Sequence, residues 1–370
     1  MTNKDTRSLE GFDSRSRQLY TLSHPSSLAD QRPASSYKPS LKSHPASNSM
    51  LEHLSVLYHV VTIYPLIPFL LVAAYTLFHP LYTLSFILLS LLVPHTLICR
   101  SRNLRSLSIW HHLASYFPMT LYRSVPLPPT KKYILGYHPH GVLSHGAFAA
   151  FATEALGFSE LFPGIENTLL TLSSSFQIPI YGIYLRLLGM GSVSRESCQS
   201  LLTTGGRGGQ GSGKAITIVV GGAKESLEAV PNSMRLVLRN RKGFVKLAIQ
   251  TGASLVPVVG FGENELYDMD ISLESQTLSG RVQRFFKEKF GFTVPFFYAR
   301  GPNWFDMGIM PYRRGVNVVV GRPIEVEMVQ GAVGQDHLNE VHGKYVEEVE
   351  RIWRVWKGVF SPGAGEMVIV

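Results

Sequence analysis

KYILGYHPHG, residues 132–141, is an apolar run of strand-forming residues that ends in histidine, proline and glycine. Apolar runs of this length, without a polar face, are typical of strands that are buried on both sides. Three further runs of this kind follow, at residues 215–220, 254–261 and 316–320. The segments at residues 147–156, 195–203 and 243–251 suit helices. Strands that alternate with helices predict an α/β fold with a central sheet and flanking helices.

The chain ends in a pattern that predicts an amphipathic helix. From Leu338 to Trp356, apolar residues recur every three or four positions, which places them on one face of a helix. Asp336 stands just before this pattern and is the predicted N-cap, because an aspartate side chain can accept hydrogen bonds from first-turn amides. The predicted α/β domain covers residues 101–370, with a glycine-rich insertion at 205–213.

The composition of the 370-residue chain excludes several classes of protein. With 45% hydrophobic and 16% charged residues, the chain is too apolar for a disordered or collagen-like protein. Two cysteines, Cys99 and Cys198, are too few for a disulfide framework or a zinc ribbon, which suits a reducing compartment. The formal net charge of +9 fits either nucleic acid or an anionic membrane surface.

The distribution of charge favours the membrane. Residues 1–50 hold seven Lys or Arg and four Asp or Glu, whereas residues 53–153 hold six basic residues and no acid. Between Leu54 and Cys99 there is no charged residue, and this length is sufficient for two passes of about 20 residues each. Basic residues on both sides of the stretch favour a cytosolic location for both of its ends.

Two regions are therefore predicted ahead of the α/β domain. Residues 1–50, rich in serine with scattered proline, are predicted to be a disordered cytosolic tail. Residues 51–100 are predicted to form a membrane-embedded helical hairpin, transmembrane or re-entrant, with a break near His79 and Pro80. A pair of buried soluble helices is the alternative, which the lack of a polar face disfavours.

The motif His138-Pro139-His140-Gly141 stands at the carboxyl end of the first predicted strand, where α/β folds carry their functional loops. A histidine there can take a proton from a hydroxyl group. Gly141 is predicted to open the next helix, whose free amides could hold an oxyanion. The alternative is a pair of structural loop histidines. A metal site that adds His145 is disfavoured, because Pro139 interrupts a regular strand and no Asp, Glu or Cys lies nearby.

Two further blocks suit an anionic ligand. GSVSRESC, residues 191–198, places Arg195 and Glu196 between small residues, and VVGGAKE, residues 219–225, ends a strand in Gly221-Gly222. The cations near these blocks suit phosphate groups, although a solvated surface residue is the favoured interpretation of any one of them alone: Arg195, Lys224, Arg241, Lys242 and Lys246. Residues 208–214 resemble a nucleotide phosphate loop, but Ala215 replaces its hydroxyl residue and a strand follows, so nucleotide hydrolysis is rejected.

Together these blocks resemble the diacylglycerol acyltransferase type 2 family. The likeness spans roughly residues 54–325 and rests on YHPHG (137–141), PGI (163–165), GSVSRES (191–197), VVGGAKE (219–225), RNRKGFVKLAIQTGASLVPV (239–258), FGENE (261–265) and PYRR (311–314). The resemblance implies an enzyme of the endoplasmic reticulum and lipid droplets that makes triacylglycerol from diacylglycerol. Acyl-CoA is then a co-substrate, and no cofactor is implied.

The resemblance also implies roles for individual residues. It places His138, Pro139, His140 and Gly141 on the family's catalytic motif and matches Arg195 and Glu225 to further family motifs. The expected catalytic residues are then His140, His138 and Gly141, and the expected substrate-binding residues are Pro139, Arg195, Glu196, Gly221, Gly222, Glu225, Arg241, Lys242 and Lys246. Tyr116-Phe117-Pro118 matches the family's Tyr-Phe-Pro motif, and Phe69-Leu70-Leu71 loosely resembles its neutral-lipid-binding segment. Broader glycerolipid acyltransferases place an aspartate five residues after the motif histidine, where this chain has Leu143 or His145. Glu154 is therefore the predicted carboxylate that orients the histidine.

The predicted reaction is direct acyl transfer without a covalent enzyme intermediate, with His140 as the preferred general base. Monoacylglycerol or a fatty alcohol is the alternative acceptor, and a non-catalytic lipid-droplet protein is the alternative from another class. The expected partners are acyl-CoA, diacylglycerol, the phospholipid bilayer and the lipid-droplet surface. Formation of a homo-oligomer is left open, and nucleic acid is excluded. The catalytic domain and the N-terminus are expected to face the cytosol.

Overall fold

The structure is a computed structural model that describes residues 20–21, 49–63, 100–178, 180–206, 208–270, 296–299 and 310–370. Nearly all of the predicted tail lies outside these residues. So does the greater part of the predicted hairpin, including Phe69 and Leu70.

The described strands form one large sheet and two small ones. They are β1 (Tyr20–Thr21), β2 (Thr120–Arg123), β3 (Tyr133–His138), β4 (Glu166–Thr171), β5 (Gly191–Ser192), β6 (Lys214–Val219), β7 (Met234–Leu236), β8 (Ser254–Phe261), β9 (Asp268–Asp270), β10 (Phe296–Tyr298), β11 (Asn317–Val320) and β12 (Met367–Ile369). The large sheet has the order β1-β2-β11-β8-β3-β6-β4-β5, and its pairs are parallel except β11 with β8. The small sheets pair β9 with β10 and β7 with β12.

Helices cover both faces of the large sheet. They are α1 (Ser49–Ile63), α2 (Arg102–Arg105), α3 (Ser108–Tyr116), α4 (His145–Ala147), α5 (Phe158–Leu161), α6 (Tyr181–Leu187), α7 (Arg195–Thr203), α8 (Gly222–Ser226), α9 (Gly243–Thr251) and α10 (Gln335–Phe360). Alternate residues of β3 serve two cores, because side chains of a strand point to opposite faces. Leu135 and Tyr137 pack with α1, α3 and a π-helical turn at Phe148–Ala152. Ile134 packs with α7, α9 and α10.

The predicted α/β fold and its central sheet are confirmed. The four predicted strands are β3, β6, β8 and β11, and α7 and α9 have the predicted bounds. The glycine-rich insertion leads into β6, so a strand does follow it. The helix predicted at residues 147–156 is confirmed only as far as Ala152, because the π-helical turn ends there and Thr153 has extended backbone angles. The predicted cap is also wrong, because Gly334 is the N-cap of α10 and Asp336 lies inside the first turn.

The first helix, α1, lies at the start of the predicted membrane hairpin. It packs against α3 and buries Val56 and Val60 in the core that also contains Tyr137. Residues 64–99 lie outside the described part of the chain. Within the described part, no helix has both the length and the apolar character that a membrane crossing requires.

Candidate active site

The carboxyl ends of three neighbouring strands meet at one edge of the large sheet. Because β3 is parallel to both β6 and β8, the segments that follow these strands leave the sheet on the same side. These segments are Pro139–Gly141, Gly221-Gly222 and Gly262-Glu263. The peptide bond between His138 and Pro139 is cis.

His138, the last residue of β3, is fully buried beneath α10. Its Nε2 lies 3.0 Å from the Tyr345 hydroxyl, which donates to the carbonyl oxygen of Gly136 at 3.1 Å. Since Tyr345 uses its proton on Gly136, Nε2 of His138 is the donor to the tyrosine oxygen. Burial lowers the pKa of His138 to about 3, which keeps the ring neutral. His138 therefore joins the central strand to α10.

His140 is partly exposed, and its surroundings fix the tautomer of its ring. Nδ1 lies 3.0 Å from the carbonyl oxygen of Gly141 and 3.3 Å from the Ser144 hydroxyl. That hydroxyl donates its own proton to the His140 carbonyl at 2.8 Å, so both neighbours offer Nδ1 an acceptor. The proton therefore resides on Nδ1 and the lone pair on Nε2. Burial lowers the pKa of His140, which favours the neutral ring that a general base requires.

Glu225, in the first turn of α8, holds the backbone of the motif. Its Oε1 accepts from the His140 amide and its Oε2 from the Val237 amide, each at 2.7 Å. Burial raises the pKa of Glu225 to about 7, while the two amides and Arg241 favour the ionised form. The carboxylate thereby ties His140 to the segment that follows β7.

Glu263 supports the same turn from the end of β8. Its Oε2 accepts from the Tyr137 hydroxyl at 2.6 Å and from the Gly146 amide at 2.9 Å. Burial raises the pKa of Glu263 to about 7. Gly141 has a φ of +58°, and a Cβ there would lie 2.5 Å from Cγ of Glu263, so no other residue fits. Two buried carboxyl groups, one from each side of β3, therefore clamp the His140 turn.

Comparison with known proteins assigns this arrangement to a family. A family model described as diacylglycerol acyltransferase matches residues 69–369, which include the histidine motif and both buried carboxyl groups. The chain belongs to the diacylglycerol acyltransferase family.

Relatives of the chain include fungal and human members. It is 45% identical over 261 residues to diacylglycerol O-acyltransferase 2A of Umbelopsis ramanniana, which covers 70% of this chain and 72% of the relative. Identity to diacylglycerol O-acyltransferase 1 of Schizosaccharomyces pombe is 43% over 263 residues, or 71% and 74% of the two chains. Identity to 2-acylglycerol O-acyltransferase 1 of Homo sapiens is 38% over 271 residues, or 73% and 79%. No solved structure matches.

In this diacylglycerol acyltransferase family member, four of the predicted cations lie along α9. Arg241 donates to the carbonyl oxygen of Gly221 at 3.3 Å, directly beside the site. Lys242, Lys246 and Gln250 share one face of the helix because they are four residues apart. Arg195 reaches this face and donates to Oε1 of Gln250 at 3.1 Å. The structure therefore brings four of the cations into one row, whereas Glu196 and Lys224 are exposed on α7 and α8.

The family's Tyr-Phe-Pro motif, Tyr116-Phe117-Pro118, lies at the end of α3. Tyr116 and Phe117 belong to the core on the α1 side of the sheet, opposite α10. The Tyr116 hydroxyl donates to the carbonyl oxygen of Pro311 at 2.7 Å, and the Arg313 guanidinium lies 5.6 Å from the Tyr116 ring centre. The Phe117 ring centre is 5.1 Å from that of His145. The motif thus connects the PYRR segment to α4, the first helix after the catalytic turn.

Two predicted roles do not match the observed geometry. Oε1 of Glu154 pairs with Arg105 at 3.2 Å and Oε2 accepts from the Ser159 hydroxyl at 2.7 Å. Arg105 is buried and needs a compensating charge, so these contacts do not support Glu154 as the carboxylate that orients a motif histidine. The acceptors at His140 are the Gly141 carbonyl and the Ser144 hydroxyl instead. Gly141 does not open a helix, because α4 begins four residues later at His145.

The sequence interpretation missed Ser144, Glu263 and Tyr345 as site residues. Glu263 could have been found, because FGENE follows a strand predicted to be buried and the carboxyl ends of parallel strands share an edge. Tyr345 carried no comparable signal, since it fits the apolar pattern of α10. His138 and His145 face different partners, Tyr345 and Tyr267, and no group of three metal-ligating residues occurs in the described parts of the chain.

Proposed function

We propose that this protein is an acyl-CoA-dependent enzyme that transfers a fatty acyl group to the free hydroxyl of diacylglycerol, giving triacylglycerol and CoA. The observation that supports it best is the geometry of His140: Nδ1 faces two acceptors, so the lone pair resides on Nε2 of a partly exposed ring. Membership of the diacylglycerol acyltransferase family supports the same reaction.

In the proposed mechanism, Nε2 of His140 accepts the proton of the acceptor hydroxyl while its oxygen attacks the thioester carbonyl. The tetrahedral intermediate collapses by breaking the C–S bond, and the imidazolium returns the proton to the departing CoA thiolate. Protons and charge balance without a covalent enzyme intermediate. The neutral Nδ1–H form of the ring suits this role because it needs no deprotonation before the first step.

Backbone amides are the proposed donors to the oxyanion. The His140 amide is already bonded to Glu225, and the Gly146 amide to Glu263, so neither amide serves this purpose. Amides around Gly141 and at Gly221-Gly222 remain the proposed donors, because both segments stand at the edge where β3 and β6 end.

The row of cations along α9 is the proposed binding surface for the CoA phosphates. Arg241 begins it beside Gly221, and Arg195 ends it beside Gln250. A phosphate-rich carrier that lay along this row would bring its thioester end to the carboxyl edge of the sheet. No cofactor is part of this proposal.

We further propose a location in the endoplasmic-reticulum membrane and on lipid droplets. The support is the charge-free stretch from Leu54 to Cys99 with basic residues on both sides. The catalytic domain and the N-terminus face the cytosol in this proposal, and Phe69 and Leu70 contact neutral lipid. Whether the protein forms homo-oligomers is a separate question for solution measurements.

Monoacylglycerol is the second candidate acceptor. A relative named 2-acylglycerol O-acyltransferase 1 matches this chain over 271 residues, nearly the same extent as the diacylglycerol O-acyltransferases. A fatty alcohol is a third acceptor to include in any assay. The rival from another class is a non-catalytic lipid-droplet protein, which has no need for a general base at the edge of a sheet.

The test uses membranes that lack endogenous acyltransferases, labelled acyl-CoA and each acceptor in turn. We expect labelled triacylglycerol from diacylglycerol, and a loss of about 10²- to 10⁴-fold in His140→Ala, the usual contribution of a general base. His337→Ala, which removes a partly exposed histidine of α10, is the matched control and keeps full activity. Full activity in His140→Ala would refute the mechanism, and product from monoacylglycerol alone would change the acceptor. No thioester cleavage by the parent protein would favour the non-catalytic rival.

A further inference from the structure

The distribution of residues on α1 is inverted with respect to an ordinary surface helix. Its buried positions are Glu52, Ser55, Val56, His59 and Val60, which recur at the spacing of one helical face. Three of these five side chains are polar. Its exposed apolar side chains are Met50 (73%), Leu51 (42%), Leu54 (48%), Leu57 (42%) and Tyr58 (40%). A buried polar side chain and an exposed apolar patch are both unusual, and here they occur on opposite faces of one helix.

The inward polar face is bound to the catalytic domain. Oε2 of Glu52 lies 2.8 Å from the Arg313 guanidinium, in the PYRR segment that also contacts Tyr116. The His59 ring centre is 5.1 Å from that of His145 and 4.2 Å from that of Phe148. These contacts fix which face of α1 points outward, because Glu52 and His59 occupy the inner side.

The outward face carries no charged side chain. Its exposed residues are the five apolar ones together with Ser49 and His53. His53 and Tyr58 lie at its edges, because their ring centres are 5.3 Å from that of Tyr116 and 6.0 Å from that of Trp110. Leu107, the N-cap of the helix α3 that packs against α1, is a further exposed apolar residue. A helix face in water would normally carry lysine, glutamate or arginine at several of these positions.

The sequence that follows α1 favours lipid as the surroundings of this face. α1 ends at Ile63, and residues 64–99 contain no Asp, Glu, Lys or Arg. Of the arginines that follow, Arg102 is exposed, whereas Arg100 and Arg105 pair with Glu154 inside the domain. A charge-free stretch of this length is typical of a segment within a bilayer. The sequence pattern therefore favours a bilayer surface near the carboxyl end of α1.

We infer that α1 lies along the membrane surface, with its Met50, Leu51, Leu54, Leu57 and Tyr58 face in contact with bilayer lipid and its polar face on the catalytic domain. Interfacial helices bury an apolar face at the level of the headgroups and upper acyl chains. In this orientation, α1 separates the bilayer from α4 and the His140 turn. The inference deepens the proposed membrane location and rests on it, but it does not depend on which acceptor is used.

The test compares probes on the two helix layers. A background without Cys99 and Cys198 receives one new cysteine, Leu54→Cys or Leu57→Cys on α1, or Val355→Cys on α10, where Val355 is 37% exposed. Each cysteine carries an environment-sensitive fluorophore, and the full chain is reconstituted into phosphatidylcholine vesicles. Nitroxide lipids with the label near the headgroup probe lipid contact, and aqueous iodide probes contact with water. Retained acyl transfer verifies that each labelled protein is folded.

We expect nitroxide lipids to quench most of the emission from positions 54 and 57 and iodide to have little effect there, with the opposite result at position 355. Iodide quenching at 54 and 57 equal to that at 355 would overturn the inference. Protection from both quenchers would also overturn it, because the face would then be covered by residues 64–99 or by a second copy. If the parent protein fails to float with vesicles, both the orientation of α1 and the proposed membrane location are overturned. If it floats but the quenching results differ from those expected, only the orientation of α1 is overturned.

Discussion

Helices α1 and α10 cover opposite faces of the same sheet, and they differ in which kind of side chain they bury and which they expose. α10 buries Leu338, Val341, Tyr345 and Ile352 and exposes charged residues, as expected for a helix between a core and water. α1 buries Glu52 and exposes Leu54. The difference is the one that the proposed membrane orientation predicts, with water against the outer face of α10 and lipid against that of α1.

Both layers nevertheless support the catalytic turn through buried polar groups. On the α10 side, Tyr345 holds His138 and Glu225 holds the His140 amide. On the α1 side, Glu263 holds Tyr137 and Gly146. The turn between the layers is therefore held from both sides, which suits the proposed role of His140 as a base that meets two substrates.

The largest expected effect lies at the ion pair that fixes α1. Arg313→Ala would leave the carboxylate of Glu52, which is 1% exposed, without its partner. A buried acceptor that loses its partner costs about 1–3 kcal/mol of unfolding free energy, and more when the acceptor is charged. Glu52→Gln should cost less, since the Arg313 side chain is 38% exposed and can be hydrated. Chemical unfolding in detergent, with the exposed neighbour Arg314→Ala as control, measures both. Equal values for Arg313→Ala and the control would contradict this account of α1.

The next effect is the contribution of Glu263, the buried carboxyl group on the α1 side, to the pH dependence of stability. Burial raises the pKa of Glu263 from 4.5 to about 7, so the folded protein binds this proton more tightly than the unfolded chain. The resulting stability is complete below pH 4.5 and is lost as the pH rises through about 7. A change of this size corresponds to about 3 kcal/mol. We expect Glu263→Gln to have a smaller difference in unfolding free energy between pH 5 and pH 8 than the parent.

The control for this measurement is Glu350→Gln, which makes the same substitution at an exposed position of α10. Glu225→Gln provides a second contrast. Both oxygens of Glu225 accept amide protons, so an amide group there places a donor against a donor at every pH. At Glu263 the two donors share Oε2, and an amide oxygen can still serve them. A parent-like pH slope in Glu263→Gln would show that this group titrates normally.

On the α10 side, Tyr345→Phe tests the support that this helix gives to His138. The change removes the acceptor for Nε2 of His138 and the donor to Gly136, and leaves both buried groups without that bond. A loss of about 1–3 kcal/mol in unfolding free energy is expected. Tyr298→Phe, at a side chain 40% exposed, is the control. Because His140 is the proposed base, kcat should fall far less than in His140→Ala. A comparable loss of kcat in both variants would move the chemistry toward His138.

The sequence predicted the parts of this architecture in which burial and apolarity coincide. The strands β3, β6 and β8 were recognisable because they are buried on both faces, and the position of the His140 motif followed from the parallel sheet. The role of Glu154 was not recognisable from the sequence. Its carboxylate pairs with the buried Arg105, which is 49 residues away in the chain and is brought close only by the fold. The orientation of α1 was hidden for a related reason. Its charge-free stretch predicted a membrane segment, whereas Glu52 and His59 face the domain through contacts with distant residues.

The smallest expected effect compares the outer faces of the two helices directly. Leu54→Gln replaces a side chain that is 48% exposed on α1, and Val355→Gln replaces one that is 37% exposed on α10. If α10 faces water, Val355→Gln should change the unfolding free energy by less than about 0.5 kcal/mol. If α1 faces lipid, Leu54→Gln in lipid nanodiscs should cost about 1 kcal/mol, because the exposed half of a leucine then leaves an apolar environment. Two equal values near zero would mean that both helices have the same solvent, and the inverted pattern of α1 would then need another cause.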